Sequence, residues 1–346
     1  MVVKPIFGNW KSIDIIDRID NPIIITMKEP WAIIKPKINS IPSQVIFNKS
    51  MDIEHLEELF FSLKKNINNS KTIIGLGGGT SCDTAKYLTW KSRVQEDLNL
   101  NLLLIPSIIS VDAFLCSSIA VREENKVNYI GESEPNNIII DYELIKKAPK
   151  YLNRAGVSDT ISITSALGDW KIAHEENDEK LNSRVFDKAK SIAENLMKAR
   201  EDIQYINDNG IKALVDGFYN EVKLCEDWGN ARPEEGSEHF LAYCIESITK
   251  EHYIHGQIIG LNILISLFLQ KQNAEFSLER IHRFFNDIEL DISPKSMYLS
   301  YEILKKAIQE VKNYIKKENL MYSVYNSSKL DLDKNIRNLM RFIKSI

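Results

Sequence analysis

Between residues 22 and 141 the chain repeats one alternation: short apolar runs separated by longer stretches of helical period. The runs are Pro22-Ile-Ile-Ile-Thr, Gln44-Val-Ile-Phe, Thr72-Ile-Ile-Gly-Leu, Asn101-Leu-Leu-Leu-Ile-Pro and Asn137-Ile-Ile-Ile-Asp. Each is compact and almost wholly apolar, as strands are when a parallel sheet buries both of its faces. Residues 52–65 between them set Ile53, Leu56, Leu59, Phe60 and Leu63 on one side of a helix. Strands alternating with helices predict an α/β fold, a doubly wound parallel sheet. After about Lys147 the strand-like runs fade and apolar residues recur at three- and four-residue spacing, over 181–204, 210–224, 239–249, 256–270 and 297–316. The expected organisation is therefore a nucleotide-binding α/β domain over 1–147 and an all-α domain over 148–346. The proline-marked connection Lys147-Ala-Pro-Lys is short, which suggests two domains packed over a shared cleft.

Composition narrows the function classes. A chain of 346 residues has room for two domains with large cores, and 44% apolar with 27% charged residues is ordinary for a soluble globular protein. A net charge of -4 offers no footprint for nucleic acid or an anionic membrane. The first residues show no basic start followed by an apolar core, so no signal peptide is expected. The longest apolar stretch, 258–269, is interrupted by Gly260, Asn262 and Ser266 and is too short for a membrane span. Cys82, Cys116, Cys225 and Cys244 have no paired spacing, which points to a reduced, cytoplasmic protein.

Several motifs carry chemistry. Gly77-Gly-Gly-Thr follows a strand and opens a helix, the form of a phosphate cradle as well as of a tight turn. It is not the Gly-x-Gly-x-x-Gly fingerprint. Asp83 and Lys86 lie on the helix that follows, where either could be a solvated side chain. Ser107-Ile-Ile-Ser-Val-Asp sits just after a strand's carboxyl end; its Asp112 could hold a substrate hydroxyl or cap a helix beginning at Ala113. Further on, Asp159 lies in Ala155-Gly-Val-Ser-Asp, His239 in Gly236-Ser-Glu-His, and His255 in His252-Tyr-Ile-His-Gly. One carboxylate and two imidazoles at three helix starts form a ligand set for a divalent metal with an open position for substrate. His252 competes with His255 for the last place. Tyr243 shares a helix face with His239, and Glu238 is expected to point elsewhere. Asp169 reads as a structural residue at the start of the Trp170 helix, and His282 as having no catalytic part.

The order Gly-Gly-Gly-Thr-x-x-Asp-x-Ala-Lys, Pro-Ser-x-x-Ser-x-Asp-Ala, Ala-Gly-Val-Ser-Asp, Ser-Glu-His and His-Gly resembles the glycerol-1-phosphate dehydrogenases, over roughly residues 22–260. These belong with the iron-containing alcohol dehydrogenases and the dehydroquinate synthases, and the Asp169-Trp170 segment resembles the same branch. The resemblance implies a dehydroquinate synthase-like fold, with the metal in the cleft between the domains. It implies NAD or NADP as cofactor and one divalent metal, zinc, nickel or iron. Asp159, His239 and His255 become the metal ligands. Gly77, Gly78, Gly79, Thr80, Asp83, Ser107, Ser110 and Cys116 become the dinucleotide contacts. Asp112 becomes the substrate contact, with Asp159 and Tyr243 beside it in the catalytic group. The implied reaction interconverts dihydroxyacetone phosphate and sn-glycerol 1-phosphate, or a related small ketone and polyol. A sugar-phosphate cyclase of the dehydroquinate synthase kind is the alternative, and a non-catalytic binding module ranks below both. The partner expected is a small, phosphorylated substrate, with neither nucleic acid nor membrane, and with room for a homo-oligomer.

Three positions depart from the family pattern. Tyr243 stands where a second His is common, and Cys116 where a Ser is common. Thr26-Met-Lys-Glu-Pro-Trp lacks the acidic residue that would hold the adenosine ribose; Lys28 there could meet a ribose phosphate.

Overall fold

The computed structural model describes residues 2–67, 70–123 and 126–346. The chain forms two compact units, Met1–Asn153 and Arg154–Ile346.

The first unit runs β1 (Ile6–Gly8), α1 (Lys11–Ile16), β2 (Ile23–Thr26), α2 (Lys28–Ile34), β3 (Gln44–Phe47), α3 (Ile53–Ile67), β4 (Thr72–Gly77) and α4 (Gly79–Glu96). It continues with β5 (Asn101–Pro106), a hairpin of β6 (Ser118–Glu123) and β7 (Lys126–Glu132), then β8 (Asn137–Asp141) and α5 (Tyr142–Ile145). α6 (Lys150–Ala155) spans the boundary. Six strands pair in the order β1-β8-β5-β4-β2-β3, each adjacent pair parallel. The apolar runs are central because both their faces are covered. Ile24, Ile74, Leu76, Leu103, Ile105 and Ile139 pack with Ile16, Ile34 and Leu144 on one side. Ile23, Ile25, Ile73, Leu102, Leu104 and Ile138 are equally buried on the other. Gly75 lets α4 approach β4 closely, since a Cβ there would stand 2.9 Å from Leu104 and 3.0 Å from Ala85. The hairpin β6–β7 and the short edge strand β1 are not evident as apolar runs. β6 alternates buried and half-buried residues, and β7 buries none of residues 127–132, so a search for continuous apolar segments passes over both.

The second unit is helical: α7 (Val157–Asn177), α8 (Ser183–Lys198), α9 (Arg200–Tyr205), α10 (Asp208–Trp228), α11 (Ser237–Thr249), α12 (His255–Gln270), α13 (Leu278–Asp287), α14 (Tyr301–Lys317) and α15 (Leu332–Ile343). α12 is buried nearly throughout and packs on α7 and α11, as expected of a helix apolar on every side. Several expected helices change their limits, among them 210–224, which extends to Asp208–Trp228. The 181–204 segment divides at Ala199, with α8 starting after the Asn182 cap. The 297–316 segment starts only at Tyr301, where Ser300 Oγ accepts from Ile303 N at 3.2 Å. No helix among the described residues is long and apolar enough to cross a membrane. All four cysteines are free thiols.

Candidate metal centre and nucleotide cradle

In the first unit, β4 and β5 end side by side, with Gly77 in register with Pro106 and Ser107 N–H donating to Gly77 O at 2.9 Å. This aligns the glycine turn with the Ser107–Asp112 segment at the carboxyl edge of the sheet, where open α/β sheets bind ligands. A Cβ on Gly78 would lie 3.1 Å from Ile108 Cγ2, and one on Gly79 3.1 Å from Val111 Cγ2. The glycines thus keep two loops in close approach. α4 begins at Gly79 with no side chain capping its amides, so its first N–H groups suit an anion. Thr80 opens the same turn, its carbonyl accepting from Thr84 Oγ1 at 2.7 Å. Ser107 and Ser110 are half-buried.

Behind this edge lies a buried cation. Lys86, fully buried, places Nζ 2.7 Å from Asp83 Oδ1, 3.0 Å from Cys116 O and 2.6 Å from Ser118 O. Asp83, assigned from the resemblance to the dinucleotide, is engaged in this ion pair, and burial holds its pKa above the ordinary carboxylate value. Lys86 is no solvated helix residue; a lysine three positions after an aspartate, on a helix of small and apolar residues, is the signal for it. Asp112 does not cap a helix at Ala113, because 113–115 form only a turn. Its carboxylate accepts from Cys116 Sγ at 2.9 Å. Burial, then the Asp112 charge, raises the Cys116 pKa well above the ordinary value, so Cys116 acts as a donor and not as a thiolate.

In the second unit, three helix starts converge. Asp159 is the third residue of α7, His239 the third of α11 and His255 the first of α12. One ligand atom from each lies within 4.8 Å of the others. That is within reach of one divalent ion, with bonds of about 2.1 Å, after small side-chain adjustments. Asp159 Oδ1 is buried and stands 3.1 Å from His255 Nε2 without the geometry of a hydrogen bond. The rings of His239 and His255 are 5.4 Å apart. His252 is half-exposed and faces Glu246 at 3.9 Å, outside this group.

Glutamates supply further negative charge around the group. Glu234 accepts from Ser162 Oγ at 2.8 Å and lies 3.9 Å from His239 Nε2. Glu235 accepts from the Tyr243 hydroxyl at 2.9 Å, and the Tyr243 ring is 6.2 Å from that of His239. Glu238 does not point elsewhere: its Oε1 is 3.1 Å from His239 Nδ1. The side chain folds back over the start of α11 to accept from Gly236 N as well. Burial disfavours a charged His239, but Glu234, Glu238 and Glu235 outweigh it and raise its pKa. Burial likewise raises Glu234. Carboxylates gathered around two imidazoles fit a divalent cation. The glutamates at 234 and 235 were missed in the sequence, where they look like the polar end of a loop after Pro233. Asp169 is structural: it accepts from Ser237 N at 2.6 Å and Val324 N at 2.8 Å, and burial and Glu238 push its pKa up to about 6.

Comparison with known proteins identifies the class first. The sequence profile of the iron-containing alcohol dehydrogenases matches residues 33–149. The structure of glycerol dehydrogenase from Schizosaccharomyces pombe superposes with a TM-score of 0.71 at 17% identity, covering 100% of this chain and 90% of that one. The fold is thus that of the iron-containing alcohol dehydrogenases. Among curated sequences, glycerol-1-phosphate dehydrogenase [NAD(P)+] from Sulfolobus acidocaldarius is 30% identical over 273 residues, 76% of this chain and 72% of its own. The enzyme of the same name from Thermoplasma volcanium is 26% identical over 338 residues, 95% of this chain and 92% of its own. The chain belongs to the glycerol-1-phosphate dehydrogenase family.

Proposed function

We propose that the chain is a metal-dependent, NAD(P)H-linked dehydrogenase that interconverts dihydroxyacetone phosphate and sn-glycerol 1-phosphate, or a closely related small ketone and polyol. The observation that carries this reading is the convergence of Asp159, His239 and His255 in a chain of this family. A divalent ion supplies Lewis acidity toward a carbonyl oxygen, and the nicotinamide supplies the hydride.

The protein's part is to hold and align. Asp159, His239 and His255 would hold the ion and leave room in its coordination sphere for substrate oxygens. Zinc, nickel and iron all suit one carboxylate and two imidazoles. Gly77, Gly78, Gly79 and Thr80, at the start of α4, would cradle the pyrophosphate, with Ser107 and Ser110 on the adjoining loop. Asp112 would orient a substrate hydroxyl, its own direction fixed by the Cys116 thiol. Tyr243, donating to Glu235, would border the substrate near His239.

The test is metal-stripped protein supplied with zinc, nickel, iron or manganese, NADH or NADPH, and a panel of small ketones with and without phosphate. The expected result is metal-dependent oxidation of the reduced cofactor by dihydroxyacetone phosphate, abolished in Asp159→Ala. Turnover of a sugar phosphate with no net cofactor oxidation would move the reading to the cyclase class. Failure of the wild type to bind any of the metals would remove it.

A further inference from the structure

We infer that Glu238 is a positioning residue for the metal centre: its carboxylate fixes the ring orientation and tautomer of His239 so that Nε2 is presented to the ion. The inference rests on the metal reading above and adds a residue to it. Glu238 is fully buried, one position before His239 in α11. A buried carboxylate is costly unless its lone pairs are filled, and here both oxygens are engaged. Oε1 accepts from Gly236 N at 2.6 Å and lies 3.1 Å from His239 Nδ1, while Oε2 accepts from Ser165 Oγ at 2.6 Å. Ser165 stands on α7, the helix that also carries Asp159. One carboxylate therefore links the helix bearing Asp159 to the imidazole of His239.

The chemistry follows from the imidazole. With Nδ1 carrying the hydrogen and donating to Glu238, Nε2 keeps its lone pair. A metal-bound histidine whose far nitrogen donates to a carboxylate is both oriented and made more basic. The surroundings argue against a purely structural role. Asp169 is also fully buried and accepts from Ser237 N, the amide next to the one Glu238 accepts. Two buried carboxylates on neighbouring amides repel each other, so the second adds charge that the fold by itself does not need.

The experiment measures cobalt(II) and zinc affinity by chelator competition, the visible spectrum of the cobalt form, and melting of the metal-free protein. Glu238→Gln keeps the shape and an acceptor but removes the charge. It is expected to weaken metal binding by roughly tenfold or more and to shift the cobalt spectrum, while the metal-free protein melts no lower than wild type. Ser165→Ala, which leaves Glu238 in place and removes the side-chain partner of its Oε2, should lose affinity in the same direction by less. Wild-type affinity in Glu238→Gln overturns the inference. So does a Gln variant whose metal-free form melts markedly lower, because Glu238 would then be a fold residue. A wild type that binds neither ion overturns the metal reading instead, so the two failures are distinguishable.

Discussion

Lys86 Nζ lies 2.7 Å from Asp83 Oδ1 on one face of α4, and the side chains are 1% and 9% exposed. The same ammonium holds the carbonyls of Cys116 and Ser118, and so fastens the far end of the loop that carries Ser107, Ser110 and Asp112. Removing one partner of a buried pair strands the other charge, typically at about 3–5 kcal/mol. Lys86→Met should therefore lose stability on that scale in urea denaturation, and Asp83→Leu added to it should recover much of the loss. The double variant, folded but with the loop untied, should still bind NAD(P)H several-fold more weakly. Wild-type cofactor affinity in that protein would make the pair a matter of stability alone.

Gly256 follows His255 at the start of α12, and a Cβ there would come within 1.7 Å of the Ala155 carbonyl oxygen. No side-chain rotation relieves a clash with backbone. Gly256→Ala should push the helix start away and carry His255 with it, so that bound metal is lost although all three ligands remain. Metal content after gel filtration checks this; a fully loaded variant would show that α12 can shift without moving its first residue.

Tyr243 donates to Glu235 and lies beside His239. A phenol, with an ordinary pKa near 10, stays neutral at physiological pH, whereas an imidazole near 6.5 can take a positive charge. Tyr243→His should lower the KM for dihydroxyacetone phosphate more than that for dihydroxyacetone, with the gain largest below about pH 6.5. Identical changes in KM for the two ketones, or none across that range, would leave Tyr243 as packing.

Glu275 pairs with Lys190 at 2.6 Å and with Lys171. Burial alone would raise its pKa, but the two lysines outweigh burial and hold the carboxyl below its ordinary value of 4.5. Because the folded state binds the proton less readily, this stabilisation is complete above about pH 4.5 and is lost as pH falls through the lower folded value. Both lysines are about a third exposed, so the effect should be about 1 kcal/mol or less. The stability gap between wild type and Glu275→Gln in guanidinium titrations should narrow from pH 7 to pH 3. A gap independent of pH would mean that the glutamine changes packing and not charge.

The strand runs, the glycine turn and the helical second half were legible because local sequence carries them. Ile23–Thr26 and Thr72–Gly77 are apolar enough to be buried on both faces, and Gly77-Gly-Gly-Thr stands where a strand meets a helix. Asp159, His239 and His255 stand at helix starts, which the chain encodes locally, but spacing leaves His252 in competition with His255 and only the family resemblance separates the two. What lies around them depends on contacts between elements far apart in sequence, and local pattern is silent there. Helix periodicity sends Glu238 away from His239; only packing of α11 against α7 supplies the Ser165 partner that turns it back. Glu234 reads as a solvated loop residue until Ser162, 72 positions earlier, meets it. Lys86 reads as a helix surface until the carbonyls of Cys116 and Ser118 close over it. A charge is buried only where the fold brings acceptors to it, so the sequence by itself determined which groups could do chemistry, and the tertiary structure decided which of them are held in place.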